Sequence, residues 1–173
     1  GGFSLGSDIV DVPYSASVTG LSSGTTYYYC AIVNSSEGTA FGTVQQFTTS
    51  GAATATTNAA TSVASTTATL NGAGNANGAS ASGWFRYSAT NPGTCNDTFG
   101  TRAPTSSGTS LGSGFTNVTY GQAITGLAPG VTYYFCAITT NTYGTGLGAV
   151  LSFTTPANAP SVSTDYTSGI AIT

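Results

Sequence analysis

The chain has 173 residues, of which 4% are charged, and its formal net charge is −3. An ordinary cytosolic domain devotes about a quarter of its residues to Asp, Glu, Lys and Arg. Arg86 and Arg102 are the only cations, so the chain has no basic surface to neutralise the phosphates of nucleic acid or anionic lipid. No apolar run approaches the ~20 residues that span a bilayer. We therefore expect neither a nucleic-acid partner nor membrane insertion of this segment.

The aromatic content indicates a folded chain in spite of the abundance of Ser, Thr and Gly. Disordered segments are typically poor in aromatic residues and carry a high net charge. This sequence contains 10 Tyr, 8 Phe and one Trp, and these recur within short runs that are rich in Thr, Val and Ile. Such runs, separated by turn residues, are typical of β-strands.

An internal repeat organises the chain. Residues 14–50 align without a gap on residues 120–156, at an offset of 106 residues (120 minus 14), and about half of the aligned positions are identical. The tail, residues 161–173, similarly resembles the stretch that begins at Ala55. The sequence therefore predicts tandem copies of one unit.

The repeat defines three segments. We interpret residues 1–50 as the back half of one repeat, residues 51–156 as a complete repeat, and residues 157–173 as the start of a further repeat. A chain that is out of phase with its own repeats is expected to be a fragment of a longer protein, or a subunit that shares strands with its neighbours.

The complete repeat has the strand pattern of a β-sandwich. A hidden strand is expected in the weakly patterned segment Phe99–Phe115. The other predicted strands, in chain order, are Ala55–Thr57, Thr66–Asn71, Gly83–Ser88, Val118–Ile124, Thr132–Asn141 and Ala149–Thr155. About seven short strands in one unit are typical of a sandwich.

The stretch from Leu127 to Phe135, LAPGVTYYF, resembles the L-x-P-G-x-x-Y signature of fibronectin type III domains. The resemblance implies that Leu127 fills the core at a strand end and that the Tyr133 hydroxyl bonds back to the corner, as in a tyrosine corner. Leu21 and Tyr27 repeat the arrangement in the first segment.

The resemblance covers essentially the whole chain, and it implies an all-β fold of tandem fibronectin type III-like, immunoglobulin-like β-sandwich repeats. Phe153–Pro156 is similar to the closing strand and linker of bacterial members, and Trp84–Tyr87 is similar to the central strand. The sequence departs from the common pattern in a longer segment, Asn91–Phe115, and in its cysteines. Both departures are typical of a secreted bacterial subfamily.

The repeat also predicts how the three cysteines are used. Cys30 and Cys136 occupy equivalent positions, whereas the equivalent of Cys95 would lie ahead of residue 1. We therefore predict a Cys95–Cys136 disulfide, worth about 4 kcal/mol by loop entropy, and a Cys30 that is unpaired in this chain. Such a bond implies an oxidising, extracellular compartment. The alternative, three buried thiols, stays open.

The inventory of side chains argues against catalysis and metal binding. The chain has no His and no Lys, and a glycosidase needs two carboxylates that flank the sugar. Calcium needs clustered oxygen ligands, and the short pairs Asn96–Asp97 and Asp8/Asp11 are more typical of surface turns. We predict no enzyme activity, no cofactor and no metal site. The carboxylates considered are Glu37, Asp8, Asp11, Asp97 and Asp165.

Two functions remain after these exclusions. The first is a structural or adhesive stalk or filament on the bacterial cell surface, whose partners are neighbouring repeats or identical subunits. The second is a carbohydrate- or ligand-binding accessory module of a secreted enzyme or adhesin, with surface glycans as partners. In that alternative, Trp84, Tyr28 and Tyr134 would form an exposed row that stacks on sugar rings; burial of the row would favour the structural function.

Overall fold

The computed structural model describes residues 2–7 and 10–161, and the regular structure of these residues is entirely β. The described part contains no helix that could cross a membrane. The chain divides into two compact units, Gly1–Thr49 and Ser50–Thr173. The strands, in chain order, are β1 (Thr26–Tyr29), β2 (Ile32–Ser35), β3 (Gly38–Phe41), β4 (Gln45–Thr48), β5 (Thr54–Thr61), β6 (Thr67–Asn75), β7 (Ala81–Ser88), β8 (Thr101–Ala103), β9 (Thr109–Gly112), β10 (Asn117–Thr125), β11 (Thr132–Asn141), β12 (Gly144–Leu147) and β13 (Leu151–Thr154).

The second unit packs two antiparallel sheets against each other. One sheet has the order β10-β6-β5, and the other has the order β12-β11-β7-β8. In the second sheet, β13 also pairs with β11 and β9 also pairs with β7. The prediction of an all-β, sandwich-like fold is thereby confirmed.

The core lies between these two sheets and follows from the alternation of buried and exposed side chains along the strands. In β6 every second residue is buried, including Leu70, because successive side chains of a strand point to opposite faces. Phe85 and Phe135 face Leu70's sheet from β7 and β11 within the same cluster. Gly72 permits close approach of the sheets, since a Cβ there would lie 2.7 Å from that of Ala137.

Two buried hydroxyls join the sheets by hydrogen bonds. The backbone N–H of Ala137 donates to Thr57 Oγ1 of β5 over 3.0 Å. Ala137 lies in β11 opposite the gap between β12 and β13. The Tyr120 hydroxyl of β10 donates to the carbonyl of Ile138 over 3.0 Å. Every buried side-chain nitrogen or oxygen of the described residues has a partner, as a stable β-protein requires.

The observed strands differ from the predicted strands mainly in segments that contain few apolar residues. The segment Phe99–Phe115 contains two strands, β8 and β9, instead of one, and both lie against β7. β12 lies between two predicted strands, where no strand was expected. It forms because the turn after Asn141 is short: the Asn141 Oδ1 accepts the backbone N–H groups of Tyr143 and Gly144.

The first unit contains one interrupted hairpin, β1–β4, which we call the first hairpin. β1 pairs with β4 from Thr26 opposite Thr48, and β2 pairs with β3. β11, β12 and β13, which we call the second hairpin, repeat these registers 106 positions later, from Thr132 opposite Thr154. Even the contact between the paired threonine hydroxyls recurs, at 2.9 and 2.8 Å.

The two units differ where partner strands are present. β11 is continuous because β7 pairs along it, whereas β1 and β2 are separated at Cys30 and Ala31. The described residues 10–19 form no strand, although they align with β10 in sequence. β10 is held by β6, and the described part of the first unit has no strand that corresponds to β6. The predicted tail repeat falls mostly on residues 162–173, outside the described residues.

We predict that Tyr120→Phe lowers the free energy of unfolding by about 1–2 kcal/mol, because the buried carbonyl of Ile138 loses its donor. Burial raises the pKa of the Tyr120 hydroxyl above its ordinary value of 10.0. The stabilisation is therefore fully present below about pH 10 and is lost as the pH rises through the raised pKa. Urea unfolding between pH 7 and about pH 11 measures both effects.

Tyr143→Phe serves as the control, since this ring is 57% exposed. It should change neither the stability at pH 7 nor its alkaline decrease. An alkaline decrease of equal size in the Tyr120→Phe protein and in the unaltered protein would contradict the prediction.

Candidate functional site

The longer segment of the repeat folds over the outer face of the second sheet and is tied there by a disulfide. Cys95, in the loop after β7, is bonded to Cys136 of β11, with a Cα–Cα distance of 6.0 Å. Cys136 is fully buried, and together with Trp84 and Ile138 it forms a second apolar cluster that is separate from the core between the sheets. Phe99 of the same loop packs onto this cluster. The disulfide thus closes a small outer core.

Asp97 positions the loop above Trp84. Its Oδ1 accepts the indole N–H of Trp84 over 2.8 Å and the Nε–H of Arg86 over 2.9 Å. A further Arg86 N–H donates to the backbone carbonyl of Asp97. Asn96 folds the loop locally, because its Oδ1 accepts the backbone N–H groups of Thr98 and Phe99 over 2.9 and 3.0 Å. The carboxylate and amide that were weighed as calcium ligands therefore hold the loop.

The second arginine lies over the face of the indole. The Arg102 guanidinium carbon lies 4.5 Å from the centre of the Trp84 ring, within the range of a cation–π interaction. Arg102 also donates to the carbonyl of Pro104 over 2.9 Å. Arg102 thus lies over the indole ring, and Arg86 bonds to the same carboxylate as the indole N–H. No pattern in the sequence marks this cluster, because only the tertiary fold brings β7, β8 and the loop together.

The structure buries Trp84, which the carbohydrate-binding alternative would place in an exposed aromatic row. Trp84 is only 7% exposed, since the loop, the disulfide and Arg102 enclose it. Tyr134 is partly buried in β11 between Ser88 and Ser152 on the neighbouring strands. Tyr28 is 69% exposed but belongs to the first unit. Of the three residues named for an exposed aromatic row, only Tyr28 has a broadly accessible ring.

Both tyrosines of the expected corners make the same local hydrogen bond. The backbone N–H of Ala128 donates to the Tyr133 hydroxyl over 3.0 Å, and that of Ser22 donates to the Tyr27 hydroxyl over 2.9 Å. Leu127, which precedes Ala128, is buried in the core. Leu21, the corresponding residue of the first unit, is only partly buried.

A threonine at the end of each hairpin locks the same corner. The backbone N–H of Val131 donates to Thr155 Oγ1 over 3.0 Å, and that hydroxyl donates to the carbonyl of Ala128 over 2.7 Å. Thr49 makes the corresponding bond to Ser22 over 2.6 Å. The residue that follows each closing strand is therefore fastened to the loop that carries the tyrosine corner.

The remaining predicted site residues lie apart. Cys30 is exposed and has no disulfide partner in the described part of the chain. Glu37 occupies the turn between β2 and β3, while Asp8 and Asp165 lie outside the described residues. Among the described residues, no three His, Cys, Asp or Glu side chains are close enough to hold a metal ion.

The fold and the site define an all-β, sandwich-like protein with an internal disulfide. The chain matches no protein-family model, and no curated protein is similar to it at a significant level. Among solved structures, it is similar to the sensor domain of the anti-sigma factor RsgI4 of Pseudobacteroides cellulosolvens. The longer form of that domain has a TM-score of 0.42 and 17% identity, covering 65% of this chain and 97% of its own.

Two further similar structures are of the same domain. The shorter form gives a TM-score of 0.40 at 16% identity, with 61% of this chain and 96% of that one covered. The solution structure gives 0.39 at 19% identity, with 69% and 89% covered. Similarity at this level carries no argument about function, which therefore has to be argued from the residues of this chain.

We predict that Cys95→Ser destabilises the second unit by about 4 kcal/mol, because the disulfide closes a loop across a sequence separation of 41. Urea unfolding, followed by the fluorescence of Trp84, measures the change. Cys30→Ser is the matched control and should leave the stability within about 0.5 kcal/mol, since it replaces an exposed thiol. Equal effects of the two variants would contradict the prediction.

We also predict that Tyr133→Phe costs about 1 kcal/mol, because it removes the acceptor of the Ala128 N–H. Tyr134→Phe, on the adjacent and partly exposed position, should cost less than about 0.5 kcal/mol. Chemical unfolding of the two variants side by side provides the measurement. A loss in Tyr134→Phe as large as that in Tyr133→Phe would show that the corner hydrogen bond is not the cause.

Proposed function

We propose that this chain is a structural or adhesive segment of an extracellular, tandem-repeat protein of the fibronectin type III-like class. In this proposal, residues 1–50 are the back half of one repeat and residues 51–156 are a complete repeat. The observation that carries the proposal is the duplicated hairpin: the first and second hairpins have the same pairing registers 106 positions apart. Repeated units with near-neighbour contacts are the design of extended, rod-like proteins.

The way in which the second unit uses its reactive side chains supports a structural role. Trp84 is enclosed, the Asp97 carboxylate accepts two hydrogen bonds, and Arg86 and Arg102 hold the loop and the indole. These groups bond to one another and stabilise the unit, although the Asp97 side chain is 45% accessible. The enclosure of Trp84 also removes the main ring on which the carbohydrate-binding alternative depends.

The closing strand supports the same role. Thr155 is 1% exposed and is held by the tyrosine-corner loop on both its backbone and its hydroxyl. A chain that leaves the unit at Pro156 therefore departs from a point that is fastened to the core. A pulling force applied at Pro156 would therefore act on the two hydrogen-bonded sheets and would not peel away a free end of the chain.

The disulfide supports an extracellular, bacterial-surface location. Disulfides persist in oxidising compartments and are rare in the reducing cytosol. The sequence carries 4% charged residues, so hydroxyl and amide groups cover the surface, and uncharged faces of this kind favour close lateral packing of neighbouring repeats or subunits.

The mass of the native polypeptide tests the proposal. We expect a mass several times the 17.1 kDa of this chain, on denaturing gels and by mass spectrometry, with peptides from further copies of the repeat. Antibodies against residues 50–161 should label intact, unpermeabilised cells. A native mass near 17.1 kDa would contradict the tandem-repeat proposal, and labelling of lysed cells alone would contradict the surface location.

A further inference from the structure

The apolar side chains of the first hairpin are exposed where their counterparts in the second hairpin are buried. Ile32 is 55% exposed, whereas Ile138 at the equivalent position is fully buried. Tyr29 is 57% exposed, whereas Phe135 is fully buried. Val44 is 68% exposed, whereas its counterpart Val150 packs against the disulfide cluster. Both faces of the first hairpin therefore present apolar surface, which marks an interaction site.

The second unit shows what covers each of these faces. The inner face, with Phe135 and Phe153, packs against the sheet of β5, β6 and β10. The outer face, with Ile138 and Cys136, is covered by Trp84 of β7 and by the loop that carries Cys95. All of these covering elements except β10 lie in residues 51–106, the front half of the repeat.

The stretch that aligns with β10 gives independent evidence for a missing partner. In the second unit, Tyr120 and Ile124 of β10 are buried, and β6 pairs along the whole strand. In the first unit, the equivalent Tyr14 and Val18 are 41% and 65% exposed, and the backbone around them is not in a strand. Residues 10–19 therefore have the apolar pattern of β10 but, in the part of the chain that the structure describes, no strand to pair with.

We propose that the two faces of the first hairpin, together with residues 10–19, are a docking surface for the front half of one further copy of the repeat, joined through the chain to Gly1. Cys30 then forms a disulfide with the cysteine of that copy that corresponds to Cys95. This inference rests on the proposed tandem-repeat function and names the partner of the first unit.

The geometry favours this partner over a second copy of the chain. The first hairpin already has the register, corner and threonine contacts that its counterpart shows in the covered state, so docking requires little ordering of the hairpin. A second copy cannot offer its own front half, because that half is covered by its own second hairpin. Two first hairpins placed face to face would still leave residues 10–19 without a strand partner.

The disulfide step balances as an ordinary thiol oxidation. The Cys30 thiol and the thiol of the docked segment lose two protons and two electrons as the S–S bond forms. A small disulfide such as oxidised glutathione takes up the two electrons and two protons and is reduced to two thiols.

A chain that carries a copy of residues 51–106 directly before Gly1 tests the proposal, because residue 107 is the position equivalent to residue 1. After refolding with reduced and oxidised glutathione, peptide mapping should find Cys30 bonded to the added copy of Cys95. Native maleimide labelling of Cys30 should fall at least about tenfold. The backbone amides of residues 10–19 should exchange more than about 100-fold more slowly than in the unfused chain.

Two controls separate docking from the disulfide. The same fusion with Ser in place of the added cysteine should keep the amides of residues 10–19 protected while Cys30 stays reactive. A fusion with a scrambled insert should leave both readouts at the values of the unfused chain. The intact Cys95–Cys136 bond of residues 50–161 reports that the rest of the protein has folded in every variant.

A fused chain whose Cys30 and residues 10–19 behave as in the unfused chain would overturn the proposal. A Cys30–Cys30 dimer of the unfused chain with protected amides at residues 10–19 would also overturn it, in favour of a second copy as the partner. The native mass tests the tandem-repeat function separately. If the fused segment docks but the native mass is near 17.1 kDa, the tandem-repeat function is refuted, and so is the covalent source of the docked segment. The complementarity between the first hairpin and the front half of the repeat is not refuted by that result.

Discussion

A two-stranded hairpin pairs only the backbone groups that its strands turn toward each other, and it cannot bury either of its faces, so isolated hairpins are marginally stable in water. The chain contains the same hairpin in two environments. In the second unit, β7 extends the sheet beside β11, a second sheet covers one face, and the disulfide loop covers part of the other. In the first unit the pairing registers of the hairpin are the same, yet Tyr29 and Ile32 are exposed. Hydrogen bonding fixes the shape of the hairpin, and burial depends on the rest of the repeat.

The contrast between residues 10–19 and β10 extends the argument to strands. The two stretches have similar apolar patterns, but only β10 lies beside a strand, β6, with which its backbone forms hydrogen bonds. A strand differs in this respect from a helix, whose hydrogen bonds are internal to the segment. A β-segment therefore carries the preference for an extended backbone in its own sequence, while its structure requires a partner from elsewhere.

The repeat explains which features could be predicted from sequence. The periodic Tyr, Phe and Ile residues mark β11 and β7, and the equivalence of Cys30 and Cys136 leads to the Cys95–Cys136 pairing. Sequence could not place Trp84, because its burial depends on a loop that lies ten or more residues further along the chain. It also missed the division into β8 and β9, which are short and show no alternating apolar pattern, and whose extended form depends on pairing with β7.

The loop that carries Cys95 shows how a chain with few charges uses those it has. The Arg86–Asp97 pair is part-exposed, with side chains 18% and 45% accessible, and such a pair contributes at most about 1 kcal/mol. The disulfide supplies the larger share of the loop's stability, but a covalent bond at Cys95 alone leaves the following residues free to rotate. Asp97 removes that freedom, because one carboxylate oxygen accepts from both Trp84 and Arg86 and so fixes the loop over the indole. The ion pair therefore contributes orientation, while the disulfide and the enclosed aromatic rings contribute most of the free energy.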